Sequence, residues 1–434
     1  MHAPLRPGMP PQNRKVAYMP IFGPSGRHPM PGGESQSIFS RDFILLSCMS
    51  MCNNSYIAVY YCFEQWLEGV GVAAGWRGIL LSCMFVMVLL CRPLASITLL
   101  KRSKLVPLGC TIILSSCIML AYPFLAGGPH FVGIVAGMRA LQGVALAVYS
   151  TCVTAVLVSC IPKGQSARGF ALFSLTLLLP YSIIPAMGEH LLPLVGGEPY
   201  LFAWTSLLGI PALCMLIPLA PRLRIPELPA AGAGSMSGKA VLHAVTHSGL
   251  GCVYLSCMAF SIMTWLAILF MKGLCTLTGA QAQHFFMTYT ITMILIRLFG
   301  SHMFDTLPRY RVVPLCALGL AVSMAGMAWL PSWTFIPLCA LYGVCLGILY
   351  PLLASTIYDR STDATRSINS NVMMLTFDAS GMLGPLVGGA VIQLGLDYRG
   401  VFMTAALIVS MSGGFMLLDR LRLALAERRQ RTGA

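Results

Sequence analysis

Charged residues are scarce in this sequence: Asp, Glu, Lys and Arg make up 10% of the 434 residues, whereas hydrophobic residues make up 57%. A soluble domain normally has about 25% charged residues, so this chain has too little polar surface to cover a globule in water. Apolar runs of about 20 residues recur along it, and a helix of that length crosses roughly 30 Å of hydrocarbon. Membrane strands would alternate in polarity, and these runs do not. The composition predicts a polytopic all-α membrane protein.

Patterns typical of enzymes and metal sites are also missing. The sixteen cysteines are scattered singly through apolar runs, without a CxxC pair or a Cys/His cluster at zinc spacing. The sequence has no P-loop for nucleotide-driven pumping and no nucleophile elbow for hydrolysis. We therefore expect no enzyme activity, no bound metal and no cofactor. The cysteines are interpreted as small apolar fillers of the helix packing.

The two ends and the middle of the chain differ in composition from the apolar segments. Residues 1–40 are rich in Pro and Gly, carry several Arg and Lys, and lack the apolar core of a cleavable signal peptide. We predict that they form a disordered, basic cytoplasmic tail; Met19 and Met30 are alternative starts. The remaining predicted boundaries are a bundle over 41–219, a cytoplasmic linker over 220–246, a second bundle over 247–418 and a basic cytoplasmic tail over 419–434.

Hydropathy, interrupted at charges and turn clusters, predicts twelve transmembrane helices. They lie near 43–63, 76–97, 105–126, 131–160, 169–189, 200–219, 248–271, 283–302, 312–330, 334–358, 368–392 and 400–418. If both termini are cytoplasmic, the cytoplasmic segments contain 22 of the 28 Lys and Arg residues, and the outside loops contain Arg77, Lys272 and Arg399. This distribution follows the positive-inside rule. The net charge of +14 therefore indicates membrane topology and contact with anionic lipid, and no nucleic-acid partner is expected.

The second half of the sequence repeats the first at a spacing near 200 residues. "ALQGVAL" (140–146) shares five of seven positions with "ALYGVCL" (340–346), and "IPAMGEH" (184–190) shares Pro and Gly with "GPLVGGA" (384–390). At a slightly different spacing, "RPLASITLLKRSK" (92–104) is similar to "RLFGSHMFDTLPRYR" (297–311). Two six-helix halves joined by a Pro/Gly/Ala-rich linker are typical of transporters that bind their substrate near the middle of the membrane.

Three of these segments resemble the motifs of the major facilitator superfamily, and the resemblance extends from about residue 41 to 420. "RALQG" (139–143) resembles the RxxQG signature of helix 4, and the 297–311 segment resembles the Gly-Asp-Arg loop motif. "DASGMLGPLVGG" (378–389) resembles the Gly-Pro-x-x-Gly-Gly motif, here in helix 11. In helix 5 the corresponding motif has Ile184 and Glu189 in place of Gly. The resemblance implies two pseudo-symmetric six-helix bundles and is nearest to the proton-coupled efflux group with twelve helices.

Asp378, close to the middle of predicted helix 11, is the first candidate for proton coupling. A carboxylate in the bilayer core costs several kcal/mol unless it is protonated, paired or facing water. We expect Asp378 to face a central cavity and to take up and release a proton. The alternative is a structural aspartate that hydrogen-bonds helix 11 to its neighbour.

Arg139 in helix 4 is the matching cation, and the resemblance implies a role in coupling. An intramembrane guanidinium needs a partner, for which the sequence offers Asp378 or Glu64; the alternative is a clamp onto backbone carbonyls. Glu64, the third coupling candidate, is expected near the outer interface in contact with water.

Residues for a substrate cavity are predicted from one polar face and from scattered aromatics. Asn53, Tyr56, Tyr60 and Glu64 follow helical spacing in helix 1 and share one face. Such a stripe should point inward, toward substrate or toward hydrogen-bond partners on other helices. The further cavity candidates are Gln142, Tyr149, Trp265, Tyr289, Tyr342 and Tyr350, although aromatics also pack cores and form interface belts.

Hinge and gate positions are predicted from Pro, Gly and loop charges. Proline interrupts helical hydrogen bonding and glycine lets backbones approach, which assigns packing and gating to Pro185, Gly188, Gly384, Pro385, Gly388 and Gly389. Arg92 and Arg297 lie at the cytoplasmic ends of helices 2 and 8. Asp305 is predicted to pair with Arg309 or with the amino end of helix 5 and to hold the inner gate shut.

These features favour a secondary transporter in a bacterial inner membrane that moves a small organic solute by alternating access. We expect it to act as a monomer, with protons and the lipid bilayer as its other partners. Proton-coupled export is the leading interpretation, and symport of a small organic acid or sugar is the alternative. A receptor or sensor on a transporter fold is a remote further alternative.

Overall fold

Twelve helices of membrane-crossing length account for most of the chain. The computed structural model describes residues 39–99, 103–125, 128–161, 166–224, 248–304, 307–361 and 365–432. The helices are α1 (Arg41–Gly69), α2 (Ala74–Leu99), α3 (Leu105–Phe124), α4 (Phe131–Cys160), α5 (Ser166–Val195), α6 (Glu198–Leu223), α7 (Gly251–Thr278), α8 (Ala282–Phe304), α9 (Arg309–Trp329), α10 (Phe335–Asp359), α11 (Arg366–Gln393) and α12 (Tyr398–Thr432). These ranges contain no strand. The predicted all-α fold with twelve helices is confirmed.

Eleven of the helices are both long enough and apolar enough to cross a membrane. The twelfth, α8, has 23 residues, which is long enough, but it carries Arg297 and threonines at 288, 290 and 292. The described part of the basic segment 419–434 continues α12 as a helix to Thr432. Residues 1–38 of the tail predicted over 1–40, and residues 225–246 of the linker predicted over 220–246, lie outside the described residues.

Three cations predicted to lie in outside loops lie instead within helix ends. Arg77 is in the first turn of α2, Lys272 is inside α7, and Arg399 is in the first turn of α12. The sequence-based boundaries were wrong here because charged residues were taken as breaks in apolar runs. α7 instead continues to Thr278 and stops at Gly279, which adopts the left-handed conformation (φ +72°) that glycine tolerates at a helix end.

The helix contacts follow the predicted two-fold repeat. In the first half, α1 packs on α5 and α6, α2 packs on α4, and α3 packs on α4 and α6. Adding six to each number gives the contacts of the second half: α7 with α11 and α12, α8 with α10, and α9 with α10 and α12. The two principal contacts between the halves are α2 with α11 and α8 with α5. They are equivalent in the repeat, because α2 corresponds to α8 and α11 corresponds to α5.

Repeated glycines make the same contact in each half. A Cβ on Gly143 of α4 would overlap the backbone carbonyl of Met84 in α2, and a Cβ on Gly343 of α10 would overlap the carbonyl of Tyr289 in α8. Likewise Gly188 of α5 lies against Tyr61 of α1. Glycine allows backbones to approach closely where any side chain would separate them. Of these three glycines, the sequence analysis assigns a packing role to Gly188 alone, and the close contacts of Gly143 and Gly343 are a finding of the structure.

The two halves approach most closely along α2 and α11. Gly78 and Gly389 are in backbone contact, so that a Cβ on Gly389 would lie 2.8 Å from the Cα of Gly78. Further along the same pair of helices, the Ser82 hydroxyl donates a hydrogen bond to the Met382 carbonyl at 2.7 Å. These contacts lie toward the helix ends joined by residues 70–73 and 394–397. We refer to this end as the external end, because the charge distribution predicts that it faces outside.

Candidate functional site

An ion pair joins the two halves of the protein within the membrane-spanning region. Arg92 of α2 places its Nε 3.0 Å from Oδ2 of Asp378 in α11. The arginine side chain is 32% exposed and the aspartate side chain 12%. The pairing is electrostatic, because neither atom has a hydrogen bond of good geometry. Asp378 is therefore paired at the interface between the halves with a partly exposed cation.

Aromatic residues lie next to this ion pair. Phe377, the residue before Asp378, packs its ring 5.6 Å from Tyr350 of α10 and 5.7 Å from Phe260 of α7. The Arg297 guanidinium lies over the Tyr350 ring at 5.4 Å. We call these four side chains the aromatic site; they contact one another, and Phe377 is adjacent to Asp378 in the chain. Of them, the sequence analysis singled out Tyr350 and Arg297 only.

Trp265, another predicted cavity residue, bridges the halves. Its ring lies 4.5 Å from the Phe85 ring of α2 in an edge-to-face arrangement. The backbone of α11 comes close to both residues, because a Cβ on Gly381 would lie 2.5 Å from the Phe85 ring and a Cβ on Gly384 would lie 2.9 Å from the Cβ of Trp265. The glycines of α11 thus provide the space for aromatic contacts between the halves.

Arg139 does not pair with Asp378 or Glu64, so the predicted ion pair is wrong. Its side chain is almost fully buried, with the guanidinium carbon 4.1 Å from the Tyr60 ring centre and 4.9 Å from that of Phe63. It donates hydrogen bonds to Gln142 Oε1 at 3.2 Å and to the Leu81 carbonyl at 3.3 Å. The alternative prediction, a clamp onto backbone carbonyls, is nearer to this geometry, with cation–π attraction in place of a carboxylate.

The polar face of α1 is buried, and its two tyrosines have partners within the first half. The Tyr60 hydroxyl donates to Gln142 Oε1 at 2.5 Å, and the Tyr56 hydroxyl lies 2.8 Å from Ser116 Oγ. Asn53 is 5% exposed. Hydrogen bonding between helices, the alternative to substrate contact, accounts for Tyr56 and Tyr60.

Three further tyrosines predicted to line a cavity lie in packed regions. Tyr289 and Tyr342 contact each other at 5.5 Å and both pack against Phe285 within the second half. Tyr149 is buried in a separate apolar cluster of the first half. In this conformation, these three tyrosines pack against neighbouring rings and aliphatic side chains.

Glu64 is not in contact with water, contrary to the sequence prediction. Its side chain is 0% exposed, and its Oε1 lies 2.6 Å from Arg77 Nη1. The hydroxyl of Tyr398, from α12 in the other half, lies 2.7 Å from Glu64 Oε2 and 2.5 Å from Glu68 Oε2. Sequence reasoning missed Glu68 and Tyr398. The spacing of Glu64 and Glu68, one helical turn apart before a loop, was the available signal.

A second ionic contact lies at the external end. Lys272 of α7 places its Nζ 3.4 Å from Glu189 Oε1 of α5 and 3.7 Å from Glu198 Oε1 of α6. Glu189 is the residue that replaces a motif glycine in helix 5, and its partner across the interface gives it a structural role. Both contacts hold the external ends of the two halves together.

At the opposite end, the described ion pairs lie within the second half. Arg309 binds Asp359 at 2.5 Å, and Arg360 binds Asp419 at 2.5 Å. Arg309 therefore has a partner other than the predicted Asp305, which lies outside the described residues. Pro185 and Pro385 lie inside helices that continue through them.

Comparisons with known proteins agree with this architecture. Residues 250–432 match the sequence model of the Major Facilitator Superfamily. Two crystal structures of the nucleoside transporter NupG, one of them of a point mutant, share the fold with TM-scores of 0.70 and 0.69 at 12% identity. They cover 87% and 88% of this chain, which covers 100% and 99% of theirs. No curated sequence relative matches the chain.

The second half of the chain is thus similar in sequence to the Major Facilitator Superfamily, and the chain as a whole shares its fold with the nucleoside transporter NupG.

Proposed function

We propose that this protein exports a small organic solute across a bacterial inner membrane by alternating access, in exchange for protons. The observation that supports the proposal is the Arg92–Asp378 ion pair, which joins α2 of one half to α11 of the other at 3.0 Å. Alternating access requires the two halves to move against each other. A charge pair between the moving halves is therefore placed where a proton can change the conformational equilibrium.

Separating Arg92 from Asp378 has a large electrostatic cost. Moving an ionised carboxylate away from its cation inside a membrane leaves two uncompensated charges, which is strongly unfavourable. Protonation of Asp378 removes one of these charges and releases Arg92. A substrate that offers an anionic or hydrogen-bonding group to Arg92 would have the same effect. Proton and substrate then compete for one ion pair, which is the requirement for exchange.

The side chains around Asp378 support a solute with a planar ring. Phe260, Tyr350 and Phe377 form a cluster of rings that includes the neighbour of Asp378 in the chain, and stacking on ring faces is favourable for aromatic groups. The solved structures of similar fold are named as nucleoside transporters, and a nucleoside combines a planar base with hydroxyl groups. Radiolabelled uridine and adenosine are therefore the first probes for transport.

The test of coupling uses Asp378→Asn in proteoliposomes with an imposed proton gradient. The amide keeps the size of the side chain but cannot ionise, so we expect gradient-driven transport of the probe to be lost while exchange of probe for probe continues. Asp397→Asn, at an exposed position in the external loop, is the matched control and should transport as the wild type does. Gradient-driven transport by Asp378→Asn at the wild-type rate would contradict the proposal.

Direction of transport separates export from the alternative, proton symport for uptake. An exporter lowers cellular accumulation of the probe, and an uncoupler raises it again. A symporter raises accumulation, and the uncoupler abolishes the increase. Measuring probe accumulation in cells with and without the protein, with and without uncoupler, distinguishes the two.

A further inference from the structure

The external end contains two carboxyl groups that are bridged on both sides. Arg77 Nη1 contacts Glu64 Oε1 at 2.6 Å and Glu68 Oε1 at 3.1 Å. The Tyr398 hydroxyl contacts the other oxygen of each, at 2.7 Å and 2.5 Å. Glu64 and Arg77 are buried, whereas the Glu68 side chain is 49% exposed. We call Glu64, Glu68, Arg77 and Tyr398 the external latch.

Counting hydrogens shows that the latch needs one proton more than its ordinary ionisation states supply. A tyrosine hydroxyl has one hydrogen and donates one hydrogen bond. Two carboxylate oxygens within 2.7 Å of the same hydroxyl oxygen would include one repulsive contact if both carboxyls were ionised. A proton on one carboxyl removes the repulsion, because that group then donates to Tyr398 while Tyr398 donates to the other.

The charge balance leads to the same result. Two ionised glutamates and Arg77 would leave one uncompensated negative charge around a fully buried carboxylate, which is unfavourable in a low-dielectric region. One added proton makes the group neutral. The Nε of Arg77 is also buried without a hydrogen-bond partner among the described residues, so this guanidinium does not offer the carboxyls a further contact.

Within the latch, Tyr398 is the residue that comes from the second half of the protein. Glu64, Glu68 and Arg77 belong to α1 and α2, while Tyr398 begins α12 and packs against α7 where Gly273 has no side chain. In α1 the segment Val59–Cys62 forms a 3₁₀ turn that separates the last helical segment, Phe63–Gly69, from the rest. A 3₁₀ segment within a helix often marks a hinge. Both carboxyls lie on the short segment beyond it.

We propose that Glu64 and Glu68 share one proton when the external end is closed, and that Tyr398 uses this proton to hold the two halves together. Opening withdraws Tyr398, exposes the carboxyls to water and releases the proton. The closed state therefore binds more protons than the open state, so raising the pH favours opening and lowering it favours closing. The inference rests on alternating access as proposed above, but it holds for export and for uptake alike.

The charged groups of the helices next to the latch have partners outside it. Lys272 of α7 is paired with Glu189 of α5 and Glu198 of α6. In the last external loop, Asp397 accepts hydrogen bonds from the backbone N–H groups of Arg399 and Gly400. The Arg399 side chain lies over the Trp329 ring at 5.1 Å. These neighbours have partners of their own, which leaves the shared proton to Glu64 and Glu68.

The experiment measures opening through a buried cysteine, without any substrate. Cys275 is 5% exposed and lies three residues along α7 from Lys272, whose ammonium group pairs with Glu189 and Glu198 of the first half. A charged, water-soluble thiol reagent is applied to the protein in lipid nanodiscs, and modification of Cys275 is followed by peptide mass spectrometry. Rates are compared between wild type, Tyr398→Phe and Glu68→Gln at each pH, so that ionisation of the thiol cancels in the ratio.

At acidic pH we expect Tyr398→Phe to be modified about tenfold faster than wild type, the effect of losing one hydrogen bond to a charged group. The ratio should fall toward one at alkaline pH, where wild type has lost the shared proton. Glu68→Gln, whose amide donates as a protonated carboxyl does, should match wild type at acidic pH and react more slowly at alkaline pH. Tyr200→Phe, at an exposed tyrosine of the same end, is the control and should match wild type throughout.

A Tyr398→Phe ratio that does not change with pH would overturn the proposal, because it would show a purely structural contact. So would Glu68→Gln reacting as fast as Tyr398→Phe. Because Cys275 modification requires neither cargo nor gradient, the result is independent of transport by Asp378→Asn. If the Cys275 rates follow the expected pattern while Asp378→Asn still couples transport to the proton gradient, the proposed function is wrong and this inference stands.

Discussion

At the scale of single residues, the buried ions of this protein are stabilised in different ways. Asp378 has a cation across the interface at 3.0 Å, whereas Arg139 has ring faces, an amide oxygen and a backbone carbonyl. A guanidinium is planar and less strongly hydrated than an ammonium, so it can stack on rings while its N–H groups donate. The Arg139 site therefore requires arginine itself, and positive charge alone does not satisfy it.

This requirement predicts the effect of Arg139→Lys. A compact ammonium cannot stack on the Tyr60 ring and also reach Gln142 and the Leu81 carbonyl. We therefore expect Arg139→Lys to lower the free energy of unfolding by about 1–3 kcal/mol. The measurement is thermal unfolding in detergent micelles. Arg399→Lys, at a half-buried arginine stacked on Trp329, is the control. It should lower the free energy of unfolding by less than about 1 kcal/mol. Equal stability of the two variants would contradict this interpretation.

At the scale of helices, glycine determines how closely neighbours pack. Gly143 and Gly343 occupy equivalent positions of α4 and α10, and each faces a backbone carbonyl that cannot move aside. Gly137, nearly two turns earlier in α4, has open space around its Cα. The same residue type thus has opposite roles within one helix.

Alanine substitutions should separate these roles. Gly143→Ala and Gly343→Ala each force two helices apart, and we expect each to lower the free energy of unfolding by about 1–3 kcal/mol. Gly137→Ala should leave stability unchanged or raise it by up to about 1 kcal/mol, because alanine favours the helix. Melting curves of the three variants in the same detergent provide the comparison. Stability losses that are the same at all three positions would show that packing is not the cause.

At the scale of the whole molecule, the structure is held closed at its external end. Backbone contact between Gly78 and Gly389, the Lys272 ion pairs and the external latch all join the two halves there. The Arg92–Asp378 pair lies deeper along the same two helices. Opening the external end therefore requires α2 and α11 to separate.

Gly389→Ala should shift the conformational equilibrium toward opening. Its Cβ would lie 2.8 Å from the Cα of Gly78 and 3.1 Å from the Ala74 carbonyl oxygen, which disfavours the closed contact. We expect faster modification of Cys275 than in wild type, with a ratio that does not depend on pH because no proton is involved. Gly414→Ala, at a position with open space in α12, is the control. An unchanged rate for Gly389→Ala would show that the halves do not close through this contact.

Much of the fold could be predicted from the sequence, while little of the charge pairing could. The repeat of "ALQGVAL" and "ALYGVCL" correctly indicated two related halves, and Asp378 was correctly placed in the interior of a helix. Its partner was not found. Arg92 lies 286 positions earlier in the chain, and the sequence offered Arg139 as an equally reasonable cation. Glu64 was assigned to water because its helix was expected to end at residue 63.

The sequence by itself determined the twelve helices and their two-fold repeat, because crossing a bilayer requires about 20 apolar residues whose backbone groups bond within the segment. That requirement acts locally and can be read position by position. Only the tertiary structure decided that Arg92 faces Asp378 and that Tyr398 reaches two glutamates. Such pairs depend on which helices pack and on the rotation of each about its axis, which contacts between distant segments set.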